Sequence, residues 1–176
     1  MPLRLVIILS LILALAGLEI TRGGNNLAVV FLLDVSDSMS QSAQAAAADY
    51  LHQALAAMGP DDQAAIVLFG GDALVERPMS PGREMERFTS VPVTTQTDLT
   101  EAIRLGLALF PSGSARRMVI LSDGAHTASG RSVGLSREVA EAARFASAAG
   151  VQIVVVPFVS HVGAEALLTG VDVPTR

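Results

Sequence analysis

Within five positions, Asp34-Val35-Ser36-Asp37-Ser38 supplies a carboxylate and two hydroxyls. Hard divalent cations such as Mg2+ take oxygen ligands in near-octahedral geometry and keep several waters, so one or two carboxylates plus hydroxyls suffice for a shallow site. Where a strand breaks into a loop, alternation turns the side chains of Asp34, Ser36 and Ser38 toward a common point. Two more oxygen donors stand where a loop meets regular structure: Thr97, directly before the helix cap Asp98, and Asp123, within Leu121-Ser122-Asp123-Gly124. Taken singly, each element is weak, since Ser36 or Ser38 alone fits an ordinary loop or cap residue. Together the five oxygens would converge on a cation, provided the fold brings three distant segments to one edge.

The elements that would do so are legible in the hydrophobic pattern. Residues 27–33 are continuously apolar, as expected of a central parallel strand covered on both faces, and the run stops at Asp34. Residues 41–58 are Ala-rich, with Leu51, Leu55 and Met58 at helical spacing and Gly59-Pro60 as a stop. A second apolar strand follows over 64–69, closed by Gly70-Gly71, then a short run over 73–76 that Pro78 demotes to an edge. Residues 79–93 lack periodicity and are expected to form a loop, with room for a short helix over 84–88. Asp98 with Glu101 makes an N-cap signature, and Ile103, Leu107 and Phe110 then mark one helical face. Residues 118–121 form the next buried strand. Ser136 and Glu138 open a further helix running to Ala149 with Gly150 as its cap, and 151–158 give the last strand. Strands alternating with helices predict an α/β fold, a doubly wound and mostly parallel sheet with helices on both faces. In such sheets ligands gather beyond the carboxyl ends of the strands, where Asp34 and Asp123 both fall.

This order and placement resemble the von Willebrand factor A and integrin inserted-domain family. There, Asp-x-Ser-x-Ser follows the first strand, a Thr follows well downstream, and an Asp-Gly ends the fourth strand. The likeness spans residues 27–158 and departs in one place, Ser122-Asp123-Gly124, where the family more often has Thr-Asp-Gly; the hydroxyl is preserved. The sixth strand and closing helix usual in the family are not evident over 159–176. The resemblance implies a metal-ion-dependent adhesion site (MIDAS) made of Asp34, Ser36, Ser38, Thr97 and Asp123. Ser36 and Ser38 would ligate directly, Thr97 directly or through water, and Asp34 and Asp123 largely through water. Carboxylates held back in this way leave Mg2+, Mn2+ or Ca2+ poorly neutralised, so an Asp or Glu of a protein partner would complete its coordination. The implied function is metal-dependent protein interaction rather than catalysis.

The competing reading is a metal-dependent hydrolase or phosphatase using Asp34 at the same edge. Aspartyl phosphatases want a second carboxylate two residues on, where this chain has Ser36, and no general base is well placed. Gly-x-Gly-x-x-Gly and Gly-Lys-Ser/Thr motifs are absent, which removes the usual support for nucleotide cofactors. With a net charge of −5, twelve scattered Arg and no Lys, the chain lacks a basic stripe that would track nucleic acid. The absence of Cys excludes disulfides and thiolate sites, and His52, His126 and His161 match no zinc spacing.

Ahead of this domain, residues 5–18 form an uncharged apolar run between Arg4 and Glu19. A spanning helix wants about 20 apolar residues and a signal-peptide core about 10–14, and the run falls between them. Two readings stay open for 1–20, an uncleaved membrane anchor or a signal cleaved after Ala14-Leu15-Ala16, which would release the domain. In both, Arg4 favours an extracytoplasmic domain. Residues 21–26 form a polar, Gly-rich linker, 27–170 the domain, and 171–176 a tail or the start of a further domain. The apolar run before the first strand also resembles bacterial membrane-anchored members of the family.

Overall fold

A computed structural model describes residues 26–85, 87–123 and 132–158. Five strands and three helices follow in the order β1 (Leu27–Asp34), α1 (Gln41–Ala56), β2 (Gln63–Phe69), β3 (Ala73–Ser80), α2 (Leu99–Ala108), β4 (Ala115–Ser122), α3 (Ser132–Ala148) and β5 (Val151–Pro157). The strands lie in the order β3-β2-β1-β4-β5. All neighbours are parallel except the β2–β3 pair.

Central placement explains the unbroken apolar run of β1. Val29, Phe31 and Leu33 pack with Ala43, Ala47, Leu51 and Leu55 of α1 on one face. Val30 and Leu32 pack with Ala102 and Ile103 of α2 and Ala142 and Ala146 of α3 on the other. With both faces covered, polar alternation would bury polar side chains, so the strand is apolar throughout. Small residues let the helices approach closely. A Cβ on Gly106 of α2 would stand 3.0–3.2 Å from Met118, Leu32 and Val30 side-chain atoms.

Register brings the strand ends level. Asp34 pairs with Phe69, Leu33 with Leu121, and Ser122 with Pro157. From β1 the chain winds outward to β2 and β3, then crosses to β4 on the other side, so the strand order reverses between β1 and β4. That crevice is flanked by Asp34 and Ser122, as the general rule for open α/β sheets requires.

The expected fold class holds, with differences in detail. β3 was expected over 73–76 and instead runs to Ser80, straight through Pro78. The register slips between Ala64 and Ile66 opposite Arg77 and Ser80, so Pro78 sits in a bulge of an antiparallel edge strand, where its missing N–H costs no ladder bond. The short helix expected over 84–88 does not form at Glu84, Met85, Arg87 or Phe88. Side chains of β3 capture this backbone instead. Arg77 Nη1 donates to Glu84 O at 2.9 Å, while Glu76 accepts from Thr89 N, Thr89 Oγ1 and Ser90 N at 2.8, 3.1 and 2.8 Å. Helix α1 stops at Ala56 and α3 begins four residues before Ser136. On α2 the buried face centres on Ala102, Ile103 and Gly106, with Leu107 and Phe110 only partly covered. The cap Asp98 accepts from Glu101 N at 3.0 Å as expected, and Gly150 closes α3 with φ of 76°.

Asp62 ties the start of β1 to the turn after α1, Oδ1 accepting from Leu27 N at 2.8 Å and Oδ2 from Gly59 N at 2.7 Å. The Leu27 N–H and then the Gly59 N–H hold its carboxyl below the ordinary aspartate value. A depressed folded pKa contributes stability that is present above the unfolded value and lost as pH falls through the folded one. Asp62→Ala is therefore expected to lower Tm at pH 7, with the gap to wild type closing from about pH 4 downward. Thermal melts at pH 7 and pH 3 check this; an equal gap at both would contradict it.

The anchor or signal at 1–20, most of the linker and the tail at 171–176 lie outside the described residues. Among the described residues no helix is long and apolar enough to cross a membrane.

Candidate metal centre at the strand ends

Asp34 closes β1 fully buried, at 0% exposure. Its Oδ1 accepts from Ser36 N at 3.0 Å and from Ser36 Oγ at 2.6 Å, and its Oδ2 accepts from Ser122 Oγ at 2.6 Å. Ser36 Oγ lies 2.8 Å from Ser38 Oγ. Residues 34, 36 and 38 thus form a contiguous chain of side-chain oxygens, as alternation predicts, while Asp37 between them is exposed.

The loop is fixed from several directions. Val35 N donates to Phe69 O at 2.9 Å and Met39 N to Ser36 O at 3.0 Å. Met39 is buried in the α1-side core and anchors the loop's far end. The Gln44 side chain donates to Met39 O at 3.2 Å, and Ser40 caps α1 by accepting from Ala43 N at 3.2 Å. Thr97 is buried at the end of the segment leading into α2. That segment meets the serine loop through Asp37 N, which donates to Thr94 O at 2.8 Å. Asp123 follows directly on Ser122 and is close enough for its charge to act on Asp34. The five sequence candidates therefore fall on three loops at one edge of the sheet.

Ser122 was not among the five, and its hydroxyl proves to be a direct partner of Asp34. The available signal was the hydroxyl retained before Asp123, where serine stands in place of threonine.

The electrostatics of this edge are unbalanced. Burial pushes the Asp34 carboxyl above its ordinary range; bonds from Ser122 and Ser36 pull it back, and Asp123 raises it again. Among the described residues no cationic side chain is one of the groups acting on it. A buried ionised carboxylate without a positive partner is costly. The donor set is all oxygen, carboxylates with hydroxyls, which suits a hard divalent cation and would supply the missing positive charge. Among the described residues no three His, Cys, Asp or Glu side chains converge, so any such ion would depend on the serine and threonine hydroxyls. A groove of about 800 Å³, lined by Arg104, Leu107, Glu138 and Phe145, lies between α2 and α3 rather than at the strand ends.

The family model for the von Willebrand factor type A domain matches residues 29–126, a span that runs from β1 through the serine loop and Thr97 to Asp123. The chain belongs to this family. No curated protein matches the sequence. Among solved structures, this von Willebrand factor A chain is similar to BatB, a conserved hypothetical protein from Bacteroides thetaiotaomicron, at 21% identity and a TM-score of 0.55, covering 76% of this chain and 66% of that one. It is similar to an aerotolerance-related membrane protein from Bacteroides fragilis at 20% identity and a TM-score of 0.56, covering 87% of this chain and 77% of that one. It is also similar to proximal thread matrix protein 1 from the mussel byssus, whose structure has a zinc-occupied MIDAS motif, at 18% identity and a TM-score of 0.53, covering 77% of this chain and 36% of that one. At these identities the likeness is one of fold. The chain spans just under two thirds of BatB and about a third of the thread protein.

Proposed function

We propose that this von Willebrand factor A domain captures a protein partner through a divalent cation held by Asp34, Ser36, Ser38, Thr97 and Asp123. The observation that carries the reading is a fully buried Asp34 whose oxygens organise the serine hydroxyls at the sheet edge and which no positive side chain among the described residues neutralises. Ser36 Oγ gives its proton to Asp34 and accepts that of Ser38 Oγ, which leaves it one lone pair for an ion. Ser36 and Ser38 would be direct ligands, Thr97 a direct or water-mediated one, and Asp34 and Asp123 would act mainly through water. A bound Mg2+, Mn2+ or Ca2+ would keep an open position for a partner's Asp or Glu. Support for a metal comes also from the zinc-occupied MIDAS motif of the thread matrix protein.

Use of Asp34 as a hydrolase nucleophile is disfavoured physically. Its carboxylate is inaccessible, and both oxygens are taken up by three hydrogen bonds. The apolar run over 5–18, with Arg4 ahead of it, supports a domain tethered on the extracytoplasmic side of a membrane, or secreted if the run is cleaved. A membrane protein among the similar folds is in keeping with that.

Capture from host membrane and envelope fractions with the immobilised chain tests the reading. Partner retention is expected with Mg2+ or Mn2+, with release on chelation and in the Asp34→Asn variant. Retention that ignores both chelator and substitution would overturn it.

A further inference from the structure

Thr97 is the one proposed ligand that lies far in sequence from any strand end, and within its segment only Pro92 and Thr97 are buried. Val91 and Val93 are 84% and 53% exposed. What holds this stretch is the turn between β2 and β3. Gly71 N donates to Val93 O at 2.6 Å, Asp98 N donates to Gly70 O at 2.6 Å, and Val93 N donates to Asp72 Oδ1 at 2.6 Å. The turn is itself closed by Gly70 N donating to Asp72 O at 2.9 Å. Both ends of the segment, Val93 and Asp98, are thus fastened to three consecutive residues of one turn. The approach is so close that a Cβ on Gly70 would lie 2.2 Å from Val93 O and 3.1 Å from Val93 C, both backbone atoms that cannot swing aside.

We propose that Gly70, Gly71 and Asp72 are positioning residues for the metal site, a clamp that presets the segment bearing Thr97 against the serine loop. The clamp acts through Thr97 and touches no ion, and it rests on the metal reading above. Two features make it specific. Only glycine fits at 70, because any side chain would collide with the Val93 carbonyl. At 72 a short acceptor is required, because otherwise the exposed Val93 N–H turns to water and the segment loses one of its ties to the turn. The same segment also receives the Asp37 N–H at Thr94 O, so displacement at Val93 would pass to the serine loop as well.

The test uses the full 176-residue chain in a mild detergent, titrated calorimetrically with Mn2+ and compared with Asp72→Ala, Asp72→Asn, Gly70→Ala and a control, Val29→Ala, which weakens the core at the opposite end of β1. Asp72→Ala and Gly70→Ala are expected to lose about tenfold or more in Mn2+ affinity, the size seen when groups supporting metal ligands are removed. Asp72→Asn keeps an oxygen acceptor and should stay close to wild type, and Val29→Ala should lower Tm without changing affinity. In chelated protein, amide exchange at Val93 and Asp98 should quicken in Asp72→Ala alone among the Asp72 variants. Wild-type binding with Asp72→Ala affinity within twofold of it would overturn the clamp while leaving the metal site standing. No Mn2+ binding by the wild-type chain would overturn the metal reading and the clamp's role together.

Discussion

Replacing Asp34 with asparagine is expected to leave the metal-free domain at least as stable as the wild type at neutral pH while abolishing its stabilisation by Mg2+ or Mn2+. The geometry permits the exchange. An asparagine Oδ1 can still accept from Ser36 N and Oγ, and its Nδ2 can donate to Ser122 Oγ once that hydroxyl turns to accept. What disappears is a buried negative charge that has no positive partner among the described residues. Burial raises the Asp34 pKa on folding, so the stability linked to this group is complete below the unfolded value and is lost as pH rises through the folded one. Neutral pH is therefore where the charge opposes folding and where asparagine relieves it. On the proposed function, a bound cation would offset this penalty. Wild-type protein with saturating cation should gain about 2.7 kcal/mol at a hundredfold excess over Kd, and the variant nothing. Differential scanning fluorimetry with metal and with chelator checks both halves. A variant that melts well below the metal-free wild type would show Asp34 to be a structural residue first.

The largest loss of stability is expected at Phe69→Ala. Phe69 ends β2 fully buried in the core shared with α2 and α3, and its carbonyl receives Val35 N at the start of the serine loop. Truncating a buried Phe to Ala typically costs about 3–5 kcal/mol, because burial is lost and the cavity collapses only partly. Set against a total of about 5–15 kcal/mol, that is a large share. Chemical denaturation should show a lower midpoint at unchanged slope, as expected when stability changes and the exposed area does not. The cavity opens directly below the edge that holds Asp34, so cation affinity should fall as well. A cost under about 1 kcal/mol, the range of ordinary surface changes, would mean that this end of the sheet is not packed as described.

Much of this fold can be read from short-range patterns, because a parallel strand covered on both faces has no choice but to be apolar. The run ending at Asp34 announces β1, and the helical spacing of Leu51 and Leu55 announces α1; both leucines are wholly buried. The Asp98 cap is likewise local chemistry, visible in four residues. The candidate site is legible for the same reason. Asp34 and Asp123 were placed by strand ends, and the serines by alternation. What escaped were contacts between segments that share no periodicity. Nothing near Asp72 says that its carboxylate will hold Val93, and nothing over 84–90 says that Arg77 will hold Glu84 O or that Glu76 will hold Thr89 and Ser90. Pro78 argued for a short β3, and only the bulge opposite Ala64 and Ile66 explains how the strand continues through it. Ser122 stands directly beside Asp123, and its role depends on a pairing across 88 positions to Asp34 that no local pattern carries.

Calorimetric titration of the full chain with Mn2+, run beside Asp34→Asn, tests the central claim most directly. Saturable one-to-one binding by the wild type that vanishes in the variant is the predicted result. Absence of binding by the wild type, or equal binding by both proteins, would contradict a cation site at the carboxyl ends of β1 and β4.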